Sequence, residues 1–354
     1  MDSDQRKNNI AKRRRWVLSL LLSLIIILAG YISVFYFPGY LWLIMLPFTF
    51  IYFIVLGIMV PANGLKVFFF SISAVFLALL LFEYYLFLNK DVPKNSQMTG
   101  TVTEPGFNEE HPFLGYGLKD DGVFTAKRSF LDETIYDVSY TVKNGLRFTP
   151  NSNDTGKCAA LFFGCSFTFG EGISDTSTLP YLFNQYAGNE FKVFNYGFSG
   201  YGPHQMLATI ENRANNDISG CNKTKIAVYS FIPDHVARAS GRRDFCSKGP
   251  KYEIVDGVLK KTGTFSKSLF QRAVEYALSQ SYTYHRLFPG VKPSTGDWKL
   301  TSEIIKKAHE LLSQQGVAMY VFIWDYPGFE NEFKKKADYD HFIDELKRNQ
   351  IPLF

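Results

Sequence analysis

Three uncharged apolar runs open the chain, over residues 17–37, 40–60 and 67–88. They are broken by Pro38-Gly39, by a turn over 61–66 and by one carboxylate, Glu83. Each run is about 20 residues, the length at which a helix crosses the hydrocarbon of a bilayer. A helix is the open form that satisfies its own backbone there. The pattern therefore predicts three membrane-spanning helices within residues 16–89. They follow a polar tail, 1–15, that carries six basic residues: Arg6, Lys7, Lys12, Arg13, Arg14 and Arg15. A cleaved leader would show one short apolar run rather than three. Lys and Arg hold to the cytoplasmic side. The tail is thus expected in the cytoplasm, and everything beyond residue 89 in the periplasm or outside the cell. Glu83 is expected at the membrane interface, with a buried proton relay as the alternative.

Beyond residue 89 the pattern changes. Residues 91–110 read as a linker rich in Pro, Gly, Thr and Asn. Near-alternating apolar positions over 134–142, with the Asn144-Gly145 turn behind them, predict a strand or hairpin added before a main sheet. Residues 90–157 thus form a linker and β-rich segment. From 158 to 354 short apolar runs alternate with helical patterns. Strands are predicted over 159–163, 191–196, 225–231 and 317–324. Helices are predicted over 176–186, 203–215, 268–281, 301–315 and 329–349. The helix at 301–315 has Thr301 as its cap, Ile304, Ile305, Ala308, Leu311 and Leu312 on one face, and Gly316 as terminator. Residues 239–263 read as a polar excursion, and 351–354 as the beginning of a fifth strand. This alternation predicts an α/β fold: a doubly wound parallel sheet in a flavodoxin-like three-layer sandwich.

Composition and candidate chemistry narrow the function. The net charge is +5, but the basic residues beyond the tail are scattered and not interleaved with aromatics, so nucleic-acid binding is unsupported. No Walker loop and no GxGxxG occurs, and none of the four cysteines forms a CxxC pair, so no cofactor or metal is implied. Cys158 and Cys221 each precede an apolar strand. If those strands are neighbours, a disulfide could join them, contributing about 4 kcal/mol in the chain-entropy description. Arg147 could hold an anion or make an ordinary salt bridge. Asn153-Asp154-Thr155 and Asn222-Lys223-Thr224 match the glycosylation acceptor pattern.

The informative stretch is Gly164-Cys165-Ser166-Phe167-Thr168-Phe169-Gly170, directly after the first predicted strand of the α/β part. Ligands of open α/β sheets bind beyond the carboxyl ends of strands, so Ser166 stands where a nucleophile is useful. The plain alternative is a serine in a strand-to-helix turn. After the second strand come Gly197, Gly200 and Gly202, whose backbone N–H groups can approach a developing oxyanion. After the third come Asp234, His235 and Arg238.

These blocks, in this order, resemble the SGNH (GDSL-like) hydrolases over roughly residues 110–354. The resemblance implies Ser166 as nucleophile and as one oxyanion donor, and Gly200 as the second. Thr168 stands where a GxSxG elbow would need its last glycine, so the motif is not that of the α/β-hydrolases. Cys165 replaces the aspartate of the family's first block and is the rival nucleophile. The third block lacks its asparagine, and His235 or Arg238 stands in its place. The family takes its Asp and His from a DxxH block after the fifth strand, where this chain stops. Asp338 and His341 have the spacing but precede that strand, inside a charged helix. His204 and His235 are nearer the expected site in chain order. The resemblance thus implies a membrane-anchored serine esterase or acyltransferase acting on acyl esters, O-acetyl groups of an envelope glycan among them. The alternatives are a glycan-binding or assembly protein that keeps the fold without a general base, or a truncated fragment.

The membrane topology carries its own test. Protease added to intact spheroplasts is expected to digest the part of the chain beyond residue 89; protection of that part would overturn the assigned orientation.

Overall fold

The structure, a computed structural model, describes residues 3–89, 98–99, 106–119, 121–131, 133–243, 246, 248–288, 293–324 and 336–354. Most of the linker expected over 91–110, and the start of the helix expected over 329–349, lie outside them. The chain forms two compact units. One comprises residues 1–92 and 267–291; the other comprises 93–266 and 292–354.

In the first unit the apolar runs are helical: α1 (Ser3–Tyr36), α2 (Leu41–Met59) and α3 (Asn63–Leu88). All three are long and apolar enough to cross a bilayer. A 3₁₀ turn, Pro38–Tyr40, joins the first two. Their packing sets a small residue and flat rings against one another. A Cβ on Gly57 would lie 3.0 Å from the Phe70 ring. Phe53 stacks on Phe76 at 5.4 Å.

In the second unit the small strands come first: β1 (Met98–Thr99), β2 (Asn108–His111) and β3 (Gly115–Leu118). The long hairpin β4 (Gly122–Phe130) and β5 (Glu133–Lys143) follows, then the short β6 (Leu146–Arg147) after the Asn144-Gly145 turn. The α/β part holds β7 (Cys158–Phe163), the one-turn α4 (Ser166–Phe169), α5 (Leu179–Tyr186), β8 (Phe191–Asn195) and α6 (Pro203–Thr209). Helix α6 continues through a π-helical turn, Ile210–Ala214, into α7 (Asn215–Asp217). Next come β9 (Lys225–Phe231), α8 (Asp234–Ala239) and the hairpin β10 (Pro250–Val255) and β11 (Val258–Thr264). Helices α9 (Leu269–Ser279) and α10 (Tyr282–Leu287) belong to the first unit. The chain ends with α11 (Thr295–Gln314), β12 (Ala318–Ile323) and α12 (Lys336–Arg348).

The sheet is mixed, not all-parallel as expected. Its order is β1-β4-β5-β6-β8-β7-β9-β12. Only β8, β7, β9 and β12 run parallel. Leu353 adds a parallel bridge to Val321, the start of the fifth strand expected there. The β-rich segment does not stand apart: β6 pairs antiparallel with β8 at Arg147 and Asn195, so the hairpin extends the same sheet.

Alternation along β7 sorts the core. Ala159, Leu161 and Phe163 face a cluster built with Leu207, Val236, Ile304, Ala308 and Phe342 from α6, α8, α11 and α12. Ala160 and Phe162 face the opposite layer, where Leu179 and Phe183 of α5 cover them. These are the three layers expected.

Three local readings change. The predicted helix over 301–315 begins earlier, because Ser294 rather than Thr301 is the cap. The Ser294 side chain accepts from Asp297 N, and Asp297 Oδ2 accepts from Ser294 N at 2.7 Å. The polar excursion contains the β10–β11 hairpin, turning at Asp256-Gly257, where both residues have positive φ. Cys158 and Cys221 do lie at the base of adjacent strands but are free thiols.

Arg147 makes the salt bridge. Its Nε lies 2.8 Å from Asp175 Oδ1, and Nη2 donates to Ile173 O at 2.9 Å. The guanidinium stacks on Tyr140 at 4.3 Å and on Phe169 at 4.7 Å. Desolvation by burial lowers its pKa, opposed by the Asp175 carboxylate. The side chain is fully enclosed, so replacing it strands Asp175. Arg147→Met is expected to lower unfolding stability by about 3 kcal/mol, the scale for breaking a buried pair from one side. Denaturant unfolding of the full chain in detergent, followed by tryptophan fluorescence, measures this; an unchanged midpoint would remove the pair from the list of structural determinants.

Candidate active site

Strand β7 is the centre of the parallel half, and its carboxyl end carries Ser166. Gly164 has φ +153°, and a Cβ there would collide with Thr168 Oγ1. That hydroxyl donates to Phe163 O at 3.3 Å. The chain therefore turns at once into α4, with Phe169 N donating to Cys165 O and Gly170 N to Ser166 O, both at 2.9 Å. Gly170 closes the turn in the left-handed region. Ser166 is half-buried, and no protein group among the described residues takes up its hydroxyl.

Register brings the other loops to the same edge. Phe162 pairs with Asn195 and Phe163 with Tyr229, so β7, β8 and β9 end together. Asn195 then ties two loops: its Nδ2 donates to Thr168 O, and its Oδ1 accepts from Gly197 N, each at 3.0 Å. A Cβ on Gly197 would lie 2.6 Å from Thr168 Cβ, so only glycine lets the second loop close on α4. Gly200 follows with φ +82° and is half-buried. Two tyrosines from separate segments cross-brace the loop. Tyr116 Oη donates to Ser199 O at 2.9 Å, and Tyr201 Oη to Tyr116 O at 2.6 Å. Ser199 Oγ donates to Glu171 Oε2 at 2.9 Å, and Arg128 Nη1 lies 3.9 Å from the same carboxylate.

The third loop enters from beneath. Arg238 donates through Nη1 to Tyr201 O at 2.8 Å and through Nε to Asp234 Oδ2 at 2.7 Å. Burial acts to lower its pKa, but the neighbouring Cys165 and Asp234 together raise it. Arg238 is thus a brace under both other loops. Asp234 also accepts from Arg243. Cys165, fully enclosed beside Arg238, has no solvent face from which to act as nucleophile. Burial pushes the enclosed Cys246 thiol up to about 12.

His235 requires a correction. It does not stand at the rim: its ring is fully enclosed, stacked on Tyr229 and edge-on to Phe231, and Nδ1 shares a 2.7 Å hydrogen bond with the Tyr229 hydroxyl. Because α8 starts immediately after β9, its first turn directs residue 235 inward. His204 is equally enclosed, and neither of its nitrogens has a hydrogen-bond partner among the described residues. Among the described residues no histidine is hydrogen-bonded to Ser166. Asp338 and His341 sit on α12 in a cleft of about 240 Å³ shared with Lys299, Ser302 and Trp298 of α11. No three His, Cys, Asp or Glu side chains among the described residues converge as a metal site.

Sequence reasoning missed Tyr116, Glu171 and the Arg238–Cys165 contact. They are long-range partners with no local pattern; only the proximity of Glu171 to the glycine turn hints at a role.

The fold and site therefore define a three-layer mixed α/β protein with a serine presented at the carboxyl edge of its central parallel strand. No family model matches the chain, and no curated protein matches it. Among solved structures it is similar to AlinE4, an SGNH-hydrolase family esterase, and to two variants of that esterase. The TM-scores are 0.31 to 0.32 at 12% identity, over 56% of this chain and 75% of theirs. A likeness of that size leaves the chemistry to be read from the residues themselves.

Burial of the two histidines sets a pH dependence. Desolvation lowers His204 from 6.5 to about 3, and lowers His235 well below its usual value, with Arg238 adding to both. The folded state keeps them neutral while the unfolded chain protonates near 6.5, so their contribution is intact above that pH and is lost as pH falls below it. Unfolding midpoints are expected to drop from about pH 6.5 downward, and His204→Gln to flatten that drop. An identical acid profile in the variant would refute the assignment.

Proposed function

We propose that the chain is a membrane-anchored SGNH-type serine esterase or acyltransferase, working outside the cytoplasm on acyl esters, with O-acetyl groups of an envelope glycan as the favoured class. The observation that carries this reading is Ser166. It caps the carboxyl end of the central parallel strand with a hydroxyl that no described group engages, on a turn clamped by Asn195 to the loop bearing Gly200. Ser166 Oγ would add to the ester carbonyl, and the N–H groups of Ser166 and Gly200 would hold the charge on its oxygen. Collapse would expel the alcohol and leave an acyl-serine. Water would then release the acid, or a second hydroxyl would take the acyl group. The serine proton must pass to a base, which no described histidine supplies through a hydrogen bond.

That last point favours a second reading, a glycan-binding or assembly module that keeps the fold without hydrolysis. A fluorophosphonate probe on the full chain separates the two. Labelling at Ser166, abolished in Ser166→Ala together with a fall in ester turnover of about a thousandfold or more, supports the enzyme. Folded protein that resists the probe but still binds acetylated glycan supports the module.

A further inference from the structure

Residues 267–291 interrupt the α/β unit and fold with the membrane helices instead. Hydrogen bonds and a ring contact attach them at one end of the bundle. Trp42 Nε1, at the start of α2, donates to Ala277 O at 2.6 Å. Tyr276 Oη donates to Val34 O, near the end of α1, at 3.3 Å. Glu83, one and a half turns before the end of α3, is buried and accepts three hydrogen bonds: from Tyr282 N at 2.7 Å, Thr283 N at 2.8 Å and Ser281 Oγ at 3.1 Å. Phe87 packs edge-on against Tyr282 at 5.7 Å. Glu83 therefore accepts from the first-turn N–H groups of α10, beside that helix's N-cap Ser281.

The same segment leaves large apolar side chains in the open. Leu269 and Phe270 are 78% and 77% exposed, and Leu287 and Phe288 are each 61% exposed. In α9 the apolar positions 269, 270, 273, 274, 277 and 278 recur at helical spacing, while Arg272 and Glu275 lie off that stripe. A hairpin of this kind in water would be an aggregation hazard.

Its fastening level says what covers it. Rise per residue puts Glu83 about 7–8 Å below the end of α3, so α9 and α10 are held where a spanning helix leaves the hydrocarbon. Tyr40, Trp42, Tyr84, Tyr85 and Tyr282 gather in the same stretches, the residue types that favour the headgroup boundary. We propose that α9 and α10 form a re-entrant interfacial hairpin, lying in the phospholipid leaflet at the carboxyl end of α3 with Leu269, Phe270, Leu287 and Phe288 inserted among the acyl chains. Lipid is the occupant because the hairpin is continuous with the surface of the spanning helices. A hairpin so placed sits about 5–10 Å into the boundary.

The inference rests on the membrane-spanning reading, and the test keeps the two apart. Nitroxide labels are placed at Phe270→Cys, Leu287→Cys and, as reference, Ile51→Cys of α2. The host is the full chain carrying Cys158→Ser, since Cys158 is the partly exposed native thiol. The protein is reconstituted in phosphatidylcholine vesicles, and relaxation by oxygen is compared with relaxation by a water-soluble nickel chelate. At positions 270 and 287 oxygen is expected to relax the label more than nickel does, at a depth shallower than at position 51. Preference for nickel at 270 and 287, with position 51 in lipid, overturns the hairpin alone. Protection from both reagents also overturns it, because a protein surface then covers the face. Preference for nickel at position 51 overturns the spanning reading and the hairpin with it.

Discussion

Thr168 fits beneath Ser166 only because the chain has glycines at 164 and 197. Its hydroxyl and Cβ occupy the space that a Cβ at either position would need. This close approach forces an abrupt turn after β7, brings the loop after β8 within reach of α4, and leaves the Asn195 amide to join the two. If any of the three side chains grew, the loops carrying Ser166 and Gly200 would have to separate. The geometry of the edge is thus a consequence of missing volume more than of added attraction.

Much of the α/β part can be read from local pattern. Strands β7, β8 and β9 are short apolar runs, and their predicted bounds agree with the structure to within a residue. The expected beginning of a fifth strand at the last residues is likewise present, as the Leu353 bridge to β12. The hairpin at 250–264 had its Asp-Gly signal in view, but its lysine-rich β11 masked the alternation. Sheet polarity was not legible, because the antiparallel half joins through a single residue pair, Arg147 with Asn195, that no periodicity announces.

The site was half legible for the same reason. Ser166, Gly197 and Gly200 follow strand ends, a position fixed by chain direction. Side-chain direction inside the next helix is a different matter. His235 and Arg238 stand one turn apart on α8, yet one points into the core against Tyr229 and the other runs beneath the loops to Tyr201 O. Letters placed at a strand end cannot separate those fates; the helix phase does.

Glu83 has a consequence for biogenesis. Its hydrogen-bond donors lie 198 to 200 residues downstream, so α3 is synthesised long before the groups that bond its carboxylate. The ribosome must pass Thr283, and by then most of the α/β unit has been made, before that charge is satisfied. The three-helix unit is therefore completed late: α3 is made first, and its Glu83 is engaged only when a segment made after most of the second unit folds back onto it.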